Sequence, residues 1–352
     1  MEEKLHRIFK IASQRGASDV HIVPFRYPTL RIDGELTYLE EEGILNPQET
    51  EKLLISLLNE DQFEHLKKFK DLDFSFNVDE AIRIRANIYY QNTGLAGAFR
   101  LIPAEIKTIE ELNLPPVLKE FTKKRQGFIL VTGPAGMGKS TTLAAMIDEI
   151  NHTRSAHIIT IEEPIEYIFT PDLSLISQRE IPSDTPNWHR ALRAALREDP
   201  DVIMIGELRD PESIQIALTA AETGHLVLGT LHTNSASQTI DRILDVLPEA
   251  QKNQARFQLA STLIGVISQR LVPRLKGGRV PACEILIANS AVRNLIRENK
   301  IYQIDLVIET NLEQGMITLE RSLATLVNLG EIDLETALSF AINVERLKNL
   351  LK

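Results

Sequence analysis

FILVTGPAGMGKSTTLAAMIDEI, Phe128 to Ile150, decides how this chain is read. An apolar run, a glycine-rich loop and a helical stretch follow one another in that order. The loop fits the pattern G-x-x-x-x-G-K-[ST]. Glycines let the backbone wrap closely around phosphate, so that several N–H groups and the start of the next helix point at the anion. Gly133, Pro134, Ala135, Gly136, Met137, Gly138, Lys139, Ser140 and Thr141 are therefore the candidate nucleotide-binding residues. Lys139 would reach the β- and γ-phosphates, and Ser140 would offer its hydroxyl to Mg²⁺.

Outward from this segment, Phe128–Thr132, His157–Ile161, Val202–Ile205 and Leu226–Thr230 are short, nearly continuous apolar runs separated by helical stretches. Parallel strands covered on both faces read this way. From about Ala291 the pattern is mostly helical, ending in Leu334–Leu351. Before the loop the texture differs. Leu5, Ile8, Phe9 and Ala12 recur at helical spacing, then Val20–Val23 and Thr29–Ile32 read as strands. Asp33-Gly34 is a hairpin turn. Residues 47–69 read as a Pro-led helix, and Leu72–Phe76, Ile82–Tyr90 and Phe99–Ile102 as half-buried strands. The three prolines between Pro103 and Pro116 mark a linker.

The expected fold class is α/β, with four parts. Residues 1–102 form an α+β domain, 103–116 a linker, 117–290 a P-loop nucleotide-binding core, and 291–352 a helical region.

The 352 residues suffice for two ordinary domains. Net charge is −10, so the chain is not a generic nucleic-acid coater. Cys283 is the only cysteine, which excludes an internal disulfide framework and a Cys-based zinc cluster, and fits a reducing cytosol. The N-terminal residues lack the apolar stretch of a secretory signal, and no run is long enough to span a bilayer.

Four further patterns carry chemistry. Asp201–Glu207 is an apolar strand ending in an acid, the placement a P-loop fold uses for its second Mg²⁺ contact. Ile161-Glu-Glu-Pro-Ile-Glu166 crowds three carboxylates at another strand end, and spacing alone does not choose which would orient water. His225 and His232 flank an apolar strand seven residues apart, which is not a metal spacing. A polar network near the γ-phosphate is expected there, with a satisfied core histidine as the alternative for His225. Arg193 and Arg197 are spaced to share a helix face, while Arg83, Arg85 and Arg100 lie in strands of the front domain.

Taken together, these stretches resemble the secretion-ATPase superfamily that drives type IV pili and type II secretion, and within it the pilus retraction ATPases. The likeness covers essentially the whole chain. It rests in front on ASDVHI (17–22), RIDGEL (31–36), DLDFSF (71–76) and AGAFRLIP (96–103). Behind, it rests on the loop, TIEEPIEY (160–167), ALREDPDVIMIGELRD (195–210), TGHLVLGTLHT (223–233) and AVRNLIRE (291–298). The resemblance implies a PAS-like front domain and a RecA-like core. It implies Glu166 as catalytic base, Glu207 as Walker B acid and metal contact, and His225 and His232 as His-box residues. It also implies that Arg85, Arg100, Arg193 and Arg197 act on nucleotide. The implied assembly is a homohexamer on the cytoplasmic face of the inner membrane, binding ATP and Mg²⁺ and turning a membrane platform protein, with a second retraction ATPase as a further partner.

Three positions depart from the family pattern: Ala135 and Met137 in the loop, and Glu163 where aspartate is usual. Val292 for isoleucine is a milder change. Assembly ATPases of the superfamily usually carry an extra N-terminal region and a four-cysteine motif, so this sequence sits with the retraction motors. Competing readings are a pilus or pseudopilus assembly ATPase, a non-hydrolysing nucleotide-binding regulator and a nucleic-acid translocase. The acidic balance and few aromatic residues weigh against the last.

Overall fold

Alternating apolar residues make the front of the chain a sheet, and continuous apolar runs make the back one buried on both faces. A computed structural model describes residues 1–32, 34–79, 82–102 and 106–351. It divides into two compact units, Met1–Glu105 with Glu166–Ile168, and Ile106–Ile165 with Phe169–Lys352.

The first unit runs α1 (Glu3–Gln14), β1 (Asp19–Ile22), β2 (Thr29–Ile32), β3 (Glu35–Tyr38), α2 (Pro47–Ile55), α3 (Glu60–Phe69), β4 (Asp71–Asn77), β5 (Arg83–Gln91) and β6 (Gly94–Ile102). Its sheet has the order β3-β2-β1-β6-β5-β4, and every neighbouring pair is antiparallel. Leu5, Ile8, Phe9 and Ala12 of α1 are buried in its core with Phe99, Ile84 and Leu54. The expected single helix over 47–69 is two. Asn59 accepts the Gln62 N–H, and the Gln62 side chain takes the Asn59 N–H. This capping box starts a second helix independently of the first. Asp33 of the expected turn lies outside the described residues, but β2 and β3 pair as that hairpin requires.

The second unit continues with α4 (Val117–Thr122), β7 (Gly127–Thr132), α5 (Lys139–Thr153), β8 (His157–Glu162), β9 (Leu175–Glu180), α6 (Trp188–Ala195) and β10 (Val202–Ile205). There follow α7 (Pro211–Glu222), β11 (Leu226–Leu231), α8 (Ala236–Asp245), α9 (Glu249–Thr262), β12 (Leu263–Pro273) and β13 (Arg279–Ile287). The chain ends in α10 (Ser290–Arg297), α11 (Ile304–Thr310), α12 (Leu319–Asn328), α13 (Leu334–Phe340) and α14 (Val344–Leu350). The strand order is β13-β12-β7-β11-β10-β8-β9. All neighbours are parallel except β12 and β13. This is the RecA-like α/β arrangement, with helical residues at the C-terminal end.

Three strands of this sheet were not anticipated. β9 is an edge strand of mixed polarity, and β12 carries Ser268-Gln269-Arg270 inside an apolar run, so neither reads as a continuous buried strand. β13 follows β12 as its antiparallel partner. Of the segment expected as a linker, residues 103–105 lie outside the described residues. The rest belongs to the second unit, with Ile109 and Leu114 buried. Arg197 also departs from expectation: α6 stops at Ala195, so Arg197 sits in the following turn rather than one helical turn beyond Arg193. Within the described residues no helix is long and apolar enough to cross a membrane.

Candidate functional site

Strand β7 is buried throughout and delivers the chain to the glycine-rich loop. Gly133 has φ +145 and Gly138 φ +80, conformations that side chains with a Cβ rarely adopt. A Cβ on Gly133 would also lie 2.4 Å from the Gln269 carbonyl oxygen. Lys139 opens α5 and is only 8% exposed. Its ammonium donates to the carbonyls of Gly133 and Pro134, each at 2.9 Å, and lies 3.3 Å from His232 Nδ1. Ser140 follows in the first turn of the helix.

A lysine ammonium can only donate, so His232 Nδ1 is the acceptor and Nε2 carries the proton. Nε2 faces Glu207 Oε1 at 3.4 Å. The other Glu207 oxygen, Oε2, takes Arg209 at 2.8 Å. Hydrogen bonding to Glu207 raises the Arg209 pKa further, despite some burial. Arg209 also donates to Glu163 Oε2 at 3.2 Å, and the Trp188 indole N–H reaches the same oxygen at 3.2 Å. Lys139, His232, Glu207, Arg209, Glu163 and Trp188 thus form one connected polar chain. It crosses the carboxyl ends of β7, β11, β10 and β8, where open parallel sheets bind ligands. One oxygen of the longer Glu163 side chain thus holds both Arg209 and Trp188.

Beside this chain lie two buried acids. Glu162, at the end of β8, accepts the Thr160 hydroxyl at 2.7 Å and the Gln178 amide at 3.2 Å. Glu284 on β13 accepts the Ala236 N–H at the start of α8, at 2.7 Å. Burial pushes the Glu284 carboxyl up to about 7; the Ala236 N–H opposes this, Asp305 and Glu320 add to it, and Arg270 opposes it.

Not all predicted residues gather here. His225 precedes β11 and is paired in level with the start of β7, through the Gly127 N–H bonded to its carbonyl. That is the opposite edge of the sheet, about 20 Å from the loop at roughly 3.3 Å per strand residue. Its Nδ1 meets the Ala220 carbonyl at 2.9 Å and the Thr223 hydroxyl at 3.3 Å at the end of α7. Within this chain His225 belongs to a helix terminus and not to a network near the γ-phosphate. Arg193 pairs with Glu212, whose second oxygen is 3.2 Å from His189 Nδ1. His189 Nε2 reaches Asp210 at 2.7 Å. Burial would raise the Asp210 pKa, but the Ser213 N–H and hydroxyl together with His189 hold it below the usual carboxylate range. Arg85 and Arg100 are paired across β5 and β6 on the exposed face of the front sheet, and Arg100 also donates to Asp19 at 3.0 Å. Glu166 is exposed, in the short segment grouped with the front unit. Cys283 is buried, and burial pushes its thiol up to about 12, which leaves it inert.

Sequence reasoning missed three contributors: Arg209, Trp188 and Gln269. Arg209 stands two residues past Glu207, so its charge was the available signal. Gln269 is a buried amide in a strand beside β7. A polar residue inside an apolar run was the signal there.

The profile of the family "Type II/IV secretion system protein" matches residues 1–304. A type IV pilus retraction ATPase, PilT of Pseudomonas aeruginosa, is 45% identical over 330 residues, covering 94% of this chain and 96% of that one. A twitching motility protein of Neisseria gonorrhoeae is 47% identical over 324 residues, covering 92% and 86%. The solved structure of the pilus retraction motor PilT with bound ADP superposes with a TM-score of 0.92 at 48% identity, covering 99% of this chain and all of that one.

Proposed function

We propose, from the premise that this chain belongs to the type II/IV secretion system protein family, that it is a motor ATPase that retracts type IV pili and so drives twitching motility. The observation that carries the chemistry is the Lys139–His232–Glu207 chain beside the glycine-rich loop. Lys139 exchanges the two loop carbonyls for the β- and γ-phosphates of ATP. His232 then links the γ-phosphate side of the loop to Glu207.

Mg²⁺ fits the donors present. Ser140 and Glu207 supply hard oxygen ligands, and among the described residues no cluster of three or more His, Cys, Asp or Glu could hold a cation unaided. A magnesium ion of this kind is usually completed by substrate phosphates and water. When bound, it neutralises phosphate charge as the bond to the γ-phosphoryl group breaks.

Glu166 is assigned as the base that orients and deprotonates the attacking water. Arg85, Arg100, Arg193 and Arg197 are assigned to nucleotide phosphates within a ring. The exposed side chains of Arg85 and Arg100 stand opposite each other on neighbouring strands, with Asp19 pairing Arg100 from the other side, and this clustering of two cations supports the reading. The working assembly is a homohexamer against a platform protein on the cytoplasmic face of the inner membrane, with a second retraction ATPase sharing the load. The reading includes no nucleic-acid partner.

The test is ATP turnover by the purified chain and by Glu166→Gln, with surface pili counted in a deletion strain. Expected are loss of turnover without loss of assembly, and more pili with lost surface motility. Parent-like turnover in Glu166→Gln removes the base assignment. Bald cells make the protein an assembly motor, and a parent chain that binds ATP without turnover makes it a regulator.

A further inference from the structure

Gln269 lies on β12 and is 1% exposed. Its Oε1 accepts the Thr142 hydroxyl at 2.8 Å, and its Nε2 donates to the Met137 carbonyl at 2.6 Å. A carbonyl can only accept, so the amide has one orientation: nitrogen toward Met137, oxygen toward Thr142. A second tie runs from the Leu271 N–H to Met137 Sδ at 3.3 Å. Gly138 packs closely against the same strand, since a Cβ there would sit 3.2 Å from Gln269 Nε2 and from Leu271.

A trans peptide is planar, with its C=O and N–H pointing in opposite directions. Drawing the Met137 carbonyl back onto Gln269 therefore turns the Gly138 N–H away from β12, toward the space the loop encloses. That N–H is one of the donors the loop has for phosphate.

We propose that Gln269 is a positioning residue for the nucleotide phosphates, acting through the Met137–Gly138 peptide plane and touching no substrate. The assignment deepens the nucleotide-binding reading above and rests on it. Thr142 fixes the amide, the amide fixes the peptide, and the peptide aims the donor. Met137, one of the departures from the family pattern, adds its sulfur to the same anchor.

The experiment uses the full chain with Gln269→Met, which keeps the length of the side chain and removes the donor. ADP carrying a fluorescent ribose label is titrated, and pyrophosphate competes for the site. Both affinities should weaken by about 10-fold, the lower end of what one misdirected hydrogen bond to a charged group costs. KM for ATP should rise by the same factor while kcat at saturation stays within about 2-fold. A purely structural role would lower kcat per chain and the melting temperature but leave KM alone. A folded Gln269→Met with parent-like affinity and KM overturns the proposal. If that variant does not fold, Thr142→Val decides: about 3-fold weaker binding of both ligands supports the proposal, and unchanged binding overturns it. A parent chain that binds ADP and pyrophosphate no better than Lys139→Ala overturns the nucleotide reading itself, and this assignment with it.

Discussion

The two edges of the core sheet treat histidine in opposite ways. At the carboxyl edge His232 joins side chain to side chain, between Lys139 and Glu207. At the amino edge His225 closes on the backbone of α7 and on Thr223. His157, also at the amino edge, meets the Asp199 carbonyl and Ser177. Side chain-to-backbone bonds finish secondary structure locally, whereas connected ionisable side chains set charges to be used. One strand, β11, thus runs from a histidine tied mainly to backbone to one tied to ionisable side chains.

The largest blow to this contrast is Lys139→Ala. It removes the end of the carboxyl-edge chain that meets the glycine-rich loop and should lower kcat/KM for ATP on the order of 10³-fold, measured by phosphate release. Folding should persist, read by circular dichroism.

Next is the buried acid at the same edge. The Glu284 carboxyl stands at about 7 in the folded chain, against roughly 4.3 in an unfolded one. The folded state therefore holds the proton more tightly. Its contribution is complete below the unfolded value and is lost as pH rises through about 7. About 3 kcal/mol of stability should disappear between roughly pH 4.5 and 8. Denaturant melts across that range should show the decline, and Glu284→Gln should flatten it. An unchanged slope in Glu284→Gln would assign the pH dependence elsewhere.

His232→Ala should cost roughly 10-fold in kcat/KM, because Lys139 and Glu207 lose their link while both remain in place. The smallest effect sharpens the comparison most. His225→Ala should lower stability by about 1 kcal/mol and leave ADP affinity within about 2-fold. A loss of affinity equal to that of His232→Ala would erase the distinction between the two edges.

The glycine-rich loop and four parallel strands were legible because their signals are local. Glycine conformations and continuous apolar runs are written residue by residue. Glu207 was legible as the acid just past an apolar strand. What was not legible depends on neighbours distant in the chain. Gln269 meets Met137 across 132 residues, and only the pairing of β12 with β7 brings them together. The alternatives for His225 stayed open because the two ends of a strand look alike in a sequence; which end faces the loop is a property of the parallel sheet. The split of 47–69 was readable in principle from Asn59 and Gln62, a capping box overridden in the reading by leucine spacing. Arg293 lies in the AVRNLIRE stretch, where its spacing alone would put it on a polar helix face. It instead donates to the carbonyls of Ala288, Ala260, Ser261 and Leu263.

That last arrangement has a mechanical side. Arg293 rivets α10 to the end of α9, and α9 passes without a break into β12, the strand that carries Gln269. The rivet needs a planar fork with several donors, so the point charge of a lysine would not replace it. A pull on α10 is carried along one uninterrupted length of backbone, from Ala260 to Gln269, and arrives at the loop that grips phosphate. Ten residues of chain thus join the Arg293 rivet to the anchor of the glycine-rich loop.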